Sequence, residues 1–151
     1  MTNYYFNIEL NEYQIDLNFE QIIQTALNQL KIKPKSELSI VFIDNDYMQE
    51  LNSQYRGYAK PTDVLSFESG EEDIESGNVY LGDILISYPF VKQQANKLNN
   101  LLESELTLMI VHGILHLCGF DHDTPENKET MWNHQTAILD TLKIQLNKLP
   151  E

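Results

Sequence analysis

The sequence predicts a single α+β domain, a small four-stranded sheet packed with about five helices. Three observations lead there. Four apolar runs of strand length are separated by longer segments whose apolar residues recur at helical spacing. One segment in the last third is apolar on nearly every side, as expected of a helix buried at the centre of a layered domain. Nothing divides the chain: its 151 residues carry no repeats, heptads or low-complexity linkers, so residues 1–151 read as one domain with room for a core.

Tyr4 to Leu10 alternates loosely and is rich in aromatic and aliphatic residues, which predicts a first strand. Asn18 followed by Gln21 resembles a capping box. It opens a helix whose apolar stripe is Phe19, Ile22, Ile23, Ala26, Leu27 and Leu30, and Pro34 ends that element. Leu38 to Ile43 reads as a buried strand. Asp44 or Asn45 caps a helix through about Tyr55, with Met48, Leu51 and Tyr55 inward. Arg56 to Thr62 is a loop by its Gly and Pro content. Asp63 to Glu68 is a third strand, Ser69 to Asn78 an acidic mobile loop, and Val79 to Ser87 a fourth strand with Gly82 as a bulge. Pro89 suits the first turn of a helix reaching about Leu98. The central helix begins near Ser104 and runs through Leu117. A last helix spans about Pro125 to Leu146, with Met131, Ala137, Ile138, Leu142 and Leu146 as its stripe.

Hydrophobic residues make up 42% of the chain and charged residues 22%, the composition of an ordinary globular protein. No apolar run is long enough to span a bilayer, and the N-terminus lacks a basic start and apolar core, so the expectation is a cytoplasmic protein with no membrane partner. Cys118 is the single cysteine, which excludes an intrachain disulfide. The net charge of −13 weighs against a polyanionic partner, since phosphates are met by lysine and arginine. The charge is uneven, however. Glu68, Glu71, Glu72, Asp73 and Glu75 crowd together, whereas Ser53 to Thr62 holds Arg56 and Lys60 and no acid.

Chemistry concentrates in His112-Gly113-Ile114-Leu115-His116-Leu117-Cys118-Gly119-Phe120-Asp121-His122. His112 and His116 stand four apart, so their rings share one helix face. Gly119 permits a positive φ that stops the helix and lets the chain double back, bringing His122 toward the same point. Three imidazoles without a fourth protein ligand are the donor set of a catalytic zinc site with an open position. A buried helix also makes a metal the natural partner for two otherwise unsatisfied rings.

The spacing is that of the metzincin metalloproteases, but those carry a glutamate base directly after the first histidine. Here that residue is Gly113, so the metal remains and the peptidase chemistry does not. Arg56 is the only arginine, and its planar fork suits a phosphate. Lys60 adds a second cation to the same turn, and Tyr55 and Tyr58 offer faces on which unpaired bases can stack.

Tyr55-Arg56-Gly57, Pro61-Thr62-Asp63-Val64-Leu65-Ser66-Phe67, Leu81-Gly82-Asp83-Ile84 and the His112–His122 block together resemble the YbeY family, in order, across roughly residues 38–140. The resemblance implies a small mixed sheet packed with helices. It implies a zinc-dependent endoribonuclease specific for single strands, acting in ribosomal RNA maturation at the 3′ end of the small-subunit RNA and in ribosome quality control. It assigns one zinc per chain to His112, His116 and His122, makes Arg56 the essential basic residue, and names ribosomal RNA and the small subunit or its proteins as partners. Arg56 and His112 are then the expected catalytic residues, with Arg56 and Lys60 binding substrate. Two routes fit: attack by water, or attack by the neighbouring 2′-hydroxyl, which leaves a cyclic phosphate. The rivals are a non-catalytic zinc-containing assembly factor and a metallohydrolase of another substrate.

Three features depart from the family pattern. Phe120 stands where tyrosine is common, Tyr58-Ala59 replaces a more polar pair, and the chain is more acidic than an RNA-binding groove suggests. Cys118, two residues past His116, points to another side of the helix and reads as core. His134 reads as surface or partly packed. Asp121 suits either a hold on a ligand histidine or a place in the turn.

Overall fold

The computed structural model describes residues 4–150. Four strands and five helices alternate as β1 (Tyr5–Glu9), α1 (Phe19–Gln29), β2 (Glu37–Ile43), α2 (Asn45–Arg56), β3 (Val64–Glu72), β4 (Val79–Ser87), α3 (Tyr88–Leu98), α4 (Leu102–Leu117) and α5 (Pro125–Thr141). The sheet order is β1-β2-β4-β3. β1, β2 and β4 run parallel, and β3 pairs antiparallel with β4 at the edge, so the sheet is mixed. Among the described residues, no helix is long and apolar enough to cross a membrane.

Local signals set the element starts. Asn18 accepts a hydrogen bond from the Gln21 backbone N–H at 3.1 Å, and Asp44 accepts one from that of Tyr47 at 2.8 Å, so Asp44 is the cap of α2. The strand alternation then divides the core. Leu38, Ile40, Phe42, Ile84 and Ile86 point to one face, where α1, α4 and α5 add Leu27, Ile110, Ile114 and Ile138. Val41, Leu65, Phe67 and Leu85 point to the other, where Met48 and Leu51 of α2 cover them.

α4 is the central helix. From Ser104 to Leu117 every residue is buried except His112 and His116, so the only gap in its packing is the one those two rings face. Gly113 sits against β4 so closely that a Cβ there would stand 2.7 Å from Cγ2 of Ile84. The expected bulge is present: pairing slips between Glu68 and Glu71 opposite Gly82 and Tyr80. Gly82 has φ +141°, and a Cβ would lie 2.1 Å from the carbonyl oxygen of Phe67, so no other residue fits.

Four boundaries differ from expectation. β3 continues to Glu72, leaving only residues 73–78 as the connecting loop, because an edge strand needs hydrogen bonds from one neighbour only and its exposed acids can face solvent. Arg56 is the last residue of α2 rather than part of the loop. α4 starts at Leu102. α5 ends at Thr141, where Lys143 takes φ +60° and the Ile144 N–H closes on the Leu139 carbonyl at 3.0 Å. The tail beyond it is tied by the Asn147 N–H, which donates to Asn100 Oδ1 at 2.5 Å.

Candidate metal centre and its cleft

α4 holds His112 and His116 one turn apart, with ring centroids 4.7 Å from each other. The helix ends at Cys118, and Gly119, at φ +94°, reverses the chain. His122 then returns to the pair, its ring centroid 5.7 Å from that of His112 and 5.2 Å from that of His116. One nitrogen from each ring lies within 4.8 Å of the others, a group able to hold a metal ion.

The hydrogen bonds behind the rings decide their chemistry. His116 Nδ1 lies 3.0 Å from the Phe120 carbonyl oxygen, which can only accept, so Nδ1 carries the proton. His112 Nδ1 lies 3.0 Å from Gln135 Oε1, with the same consequence. Each Nε2 is therefore a lone pair, and the two Nε2 atoms face each other at 3.1 Å. Two lone pairs at that distance repel unless a cation lies between them. Nitrogens bound at ~2.0–2.1 Å around a tetrahedral ion stand about 3.4 Å apart, so the spacing suits such an ion. Protonation does not relieve the repulsion at neutral pH: burial pushes His112 down from 6.5 to about 4, and burial and then the neighbouring His122 lower His116. The donor set fits a metal cation.

A cleft of about 930 Å3 opens over the triad. Its floor is Leu108, Met109, His112 and His116 of α4. Arg56, Thr62, Asp63, Ser66 and Glu68 form one wall; His122, Lys128, Trp132 and Gln135 form the other, with Leu149 and Pro150 of the tail. Arg56 is exposed, makes no ion pair among the described residues, and points its guanidinium carbon at Tyr58, 5.9 Å from the ring centre. Lys60 is not in the cleft wall. It lies outside, with Nζ 5.7 Å from the Tyr58 ring centre, and its backbone oxygen accepts from Asn52 Nδ2 at 2.8 Å. That bond from a buried asparagine anchors the basic turn.

Other sequence expectations fall into place around the site. Cys118 is outside the donor group, and burial followed by the Glu68 charge pushes its thiol up to about 12, so it remains a protonated packing residue. Asp121 Oδ1 accepts from the His122 backbone N–H at 2.7 Å, which makes it a turn residue. His134 packs on Phe120, with centroids 4.8 Å apart. Gly113 faces β4 rather than the cleft, so even a glutamate there would be directed at the sheet and not at a substrate.

The sequence model of one family, described as Endoribonuclease YbeY, matches residues 1–143. The chain belongs to the YbeY family. It is 37% identical over 152 residues to the Endoribonuclease YbeY of Acetivibrio thermocellus, covering 93% of each chain. It is 42% identical over 129 residues to that of Lysinibacillus sphaericus, covering 81% of this chain and 82% of the relative. The solution structure of TM1509 from Thermotoga maritima superposes with a TM-score of 0.53 at 26% identity, covering 91% of each chain. YbeY membership accords with the mixed sheet and with the three-histidine group on the central helix.

Gln135, Lys128, Trp132 and the tail at Leu149 and Pro150 were not singled out by the sequence. Gln135 had a readable signal. It lies four residues after Met131 and three before Ile138, a polar side chain inside an apolar stripe, and it is 3% exposed, whereas Ala137 is exposed. The tail and the two α5 residues had no such signal.

Proposed function

We propose that the chain is a metal-dependent endoribonuclease that cleaves unpaired ribosomal RNA, with one zinc ion held by His112, His116 and His122. The observation that carries the reading is the pair of Nε2 lone pairs facing each other at 3.1 Å on the floor of an open cleft, with the only arginine on its wall. When bound, the ion supplies Lewis acidity at the open position left by three protein ligands.

The chain's own residues do the rest. Gln135 and the Phe120 carbonyl hold the first two imidazoles in the donor tautomer. The Arg56 guanidinium engages the non-bridging oxygens of the phosphate and stabilises charge that develops there. Lys60, outside the cleft wall, meets the backbone further along the strand. Asn52 holds the turn that carries Lys60, just past the end of α2 where Arg56 sits. The proposed setting is the cytoplasm, with the small ribosomal subunit or its proteins presenting the RNA.

The test compares wild type, Arg56→Ala and His116→Ala on single-stranded and duplex RNA of one sequence. Cleavage confined to the single strand and lost in both variants is expected, whereas equal residual cleavage in all three would mark a contaminating nuclease. A cyclic phosphate at the new ends identifies the 2′-hydroxyl as nucleophile, and its absence identifies water.

A further inference from the structure

The cleft wall that carries His122 also presents two α5 residues, Lys128 and Trp132, that the triad and Arg56 leave unused. Trp132 is half-buried on α5 and its ring stands nearly perpendicular to two of the three histidine rings, with centroids 5.8 Å from His112 and 5.9 Å from His122. Lys128, one turn earlier, places Nζ 5.4 Å from the centre of that ring. Lys128 makes no ion pair among the described residues, and the indole N–H donates to no group among them. In a chain with ten lysines and arginines against 23 acids, this cleft brings two cations, Arg56 and Lys128, together beside Asp63, Glu68 and Asp121.

Resting on the endoribonuclease reading above, we propose that Trp132 is a base-stacking platform for single-stranded RNA, with Lys128 moving from the indole face to an adjoining phosphate. An ammonium on an aromatic face holds that face open to a second π-system at modest cost, because the cation is solvated on its outer side. A nucleobase next to the phosphate held by Arg56 has lost its stacking neighbour and needs a new one. The indole beside the histidines is that surface, and every base has a face to offer it. A duplex keeps its bases stacked and has none to present, so the platform gives the site its preference for unpaired RNA. Tyr58, 55% exposed and flanked by Arg56 and Lys60, offers a second aromatic face beside Arg56.

Trp132 is the only tryptophan, so its emission reports on this wall alone. The zinc-loaded protein is titrated with a 2′-O-methyl single-stranded oligoribonucleotide, with the same strand carrying abasic residues, and with its duplex, while anisotropy of a labelled strand reports binding. Quenching by the intact single strand only is expected. Equal quenching by all three, binding without quenching, or no binding overturns the platform. In the anisotropy assay Trp132→Phe should stay within about threefold of wild type and Trp132→Leu should bind about tenfold more weakly; equal affinity of the leucine variant counts against it. Cleavage of ordinary RNA is followed in parallel. Cleavage without quenching removes the platform alone, and quenching without cleavage removes the nuclease reading while the RNA site stands.

Discussion

Gln135→Leu isolates the tautomer that makes the triad a donor set. Gln135 is 3% exposed and meets only one face of the problem: its Oε1 accepts from His112 Nδ1 at 3.0 Å. Leucine keeps the volume and removes the acceptor. His112 is then left with an unsatisfied buried Nδ1–H, or it moves the proton to Nε2, which faces His116 Nε2 at 3.1 Å and ceases to be a lone pair. Loss of such an outer partner typically weakens metal binding about 10- to 100-fold, or about 1.4–2.8 kcal/mol. Competition against a chromophoric chelator measures it on folded protein, with circular dichroism as the control. Gln135→Glu keeps the acceptor and should bind zinc at least as well as wild type. A folded leucine variant with wild-type zinc affinity would refute the reasoning.

Three other perturbations follow from the structure. Gly113→Ala places a methyl 2.7 Å from Cγ2 of the buried, β-branched Ile84 and should cost about 1–3 kcal/mol in urea unfolding; Gly82→Ala, aimed at the backbone oxygen of Phe67 from φ +141°, should cost more. Equal stability of the two alanine variants would show that the bulge accommodates a Cβ. In chelator-treated protein, His112 has its pKa lowered from 6.5 to about 4. Below pH 6.5 the unfolded chain therefore binds a proton that the folded chain does not. Stability is full above that pH and falls by about 3 kcal/mol toward pH 4, and His112→Gln should flatten this part of the profile.

The secondary structure was readable because local rules and tertiary context agree over most of the chain. Capping side chains at Asn18 and Asp44, the apolar run of β2 and the unbroken apolarity of α4 each act within a few residues. The acidic end of β3 departs from its local sequence signal for the opposite reason. Glu71 and Glu72 have no strand propensity of their own, and pairing with Tyr80 and Val79 draws them into the sheet. Strand order is likewise a tertiary fact: nothing local states that β4 inserts between β2 and β3.

The candidate site divides the same way. His112 and His116 share a face by helical geometry, and Gly119 permits the turn to His122, so the triad follows from spacing alone. The meeting of Arg56 with the triad does not. It depends on β3 leading from the basic turn across α4, a packing of elements that are not neighbours in the chain. Trp132 and Lys128 enter the cleft only because α5 docks on α4 with Met131, Gln135 and Ile138 inward. Residues presented by that docking are ordinary surface residues until the two helices are placed together.

The central claim is that the three histidines hold the ion on which RNA cleavage depends. Its most direct test is cleavage of a single-stranded RNA by protein stripped with a chelator, then titrated with zinc. The stripped protein should be inert, and activity should return in proportion up to one equivalent per chain. Undiminished cleavage by the stripped protein, or zinc-restored cleavage by His116→Ala at the wild-type rate, would contradict it.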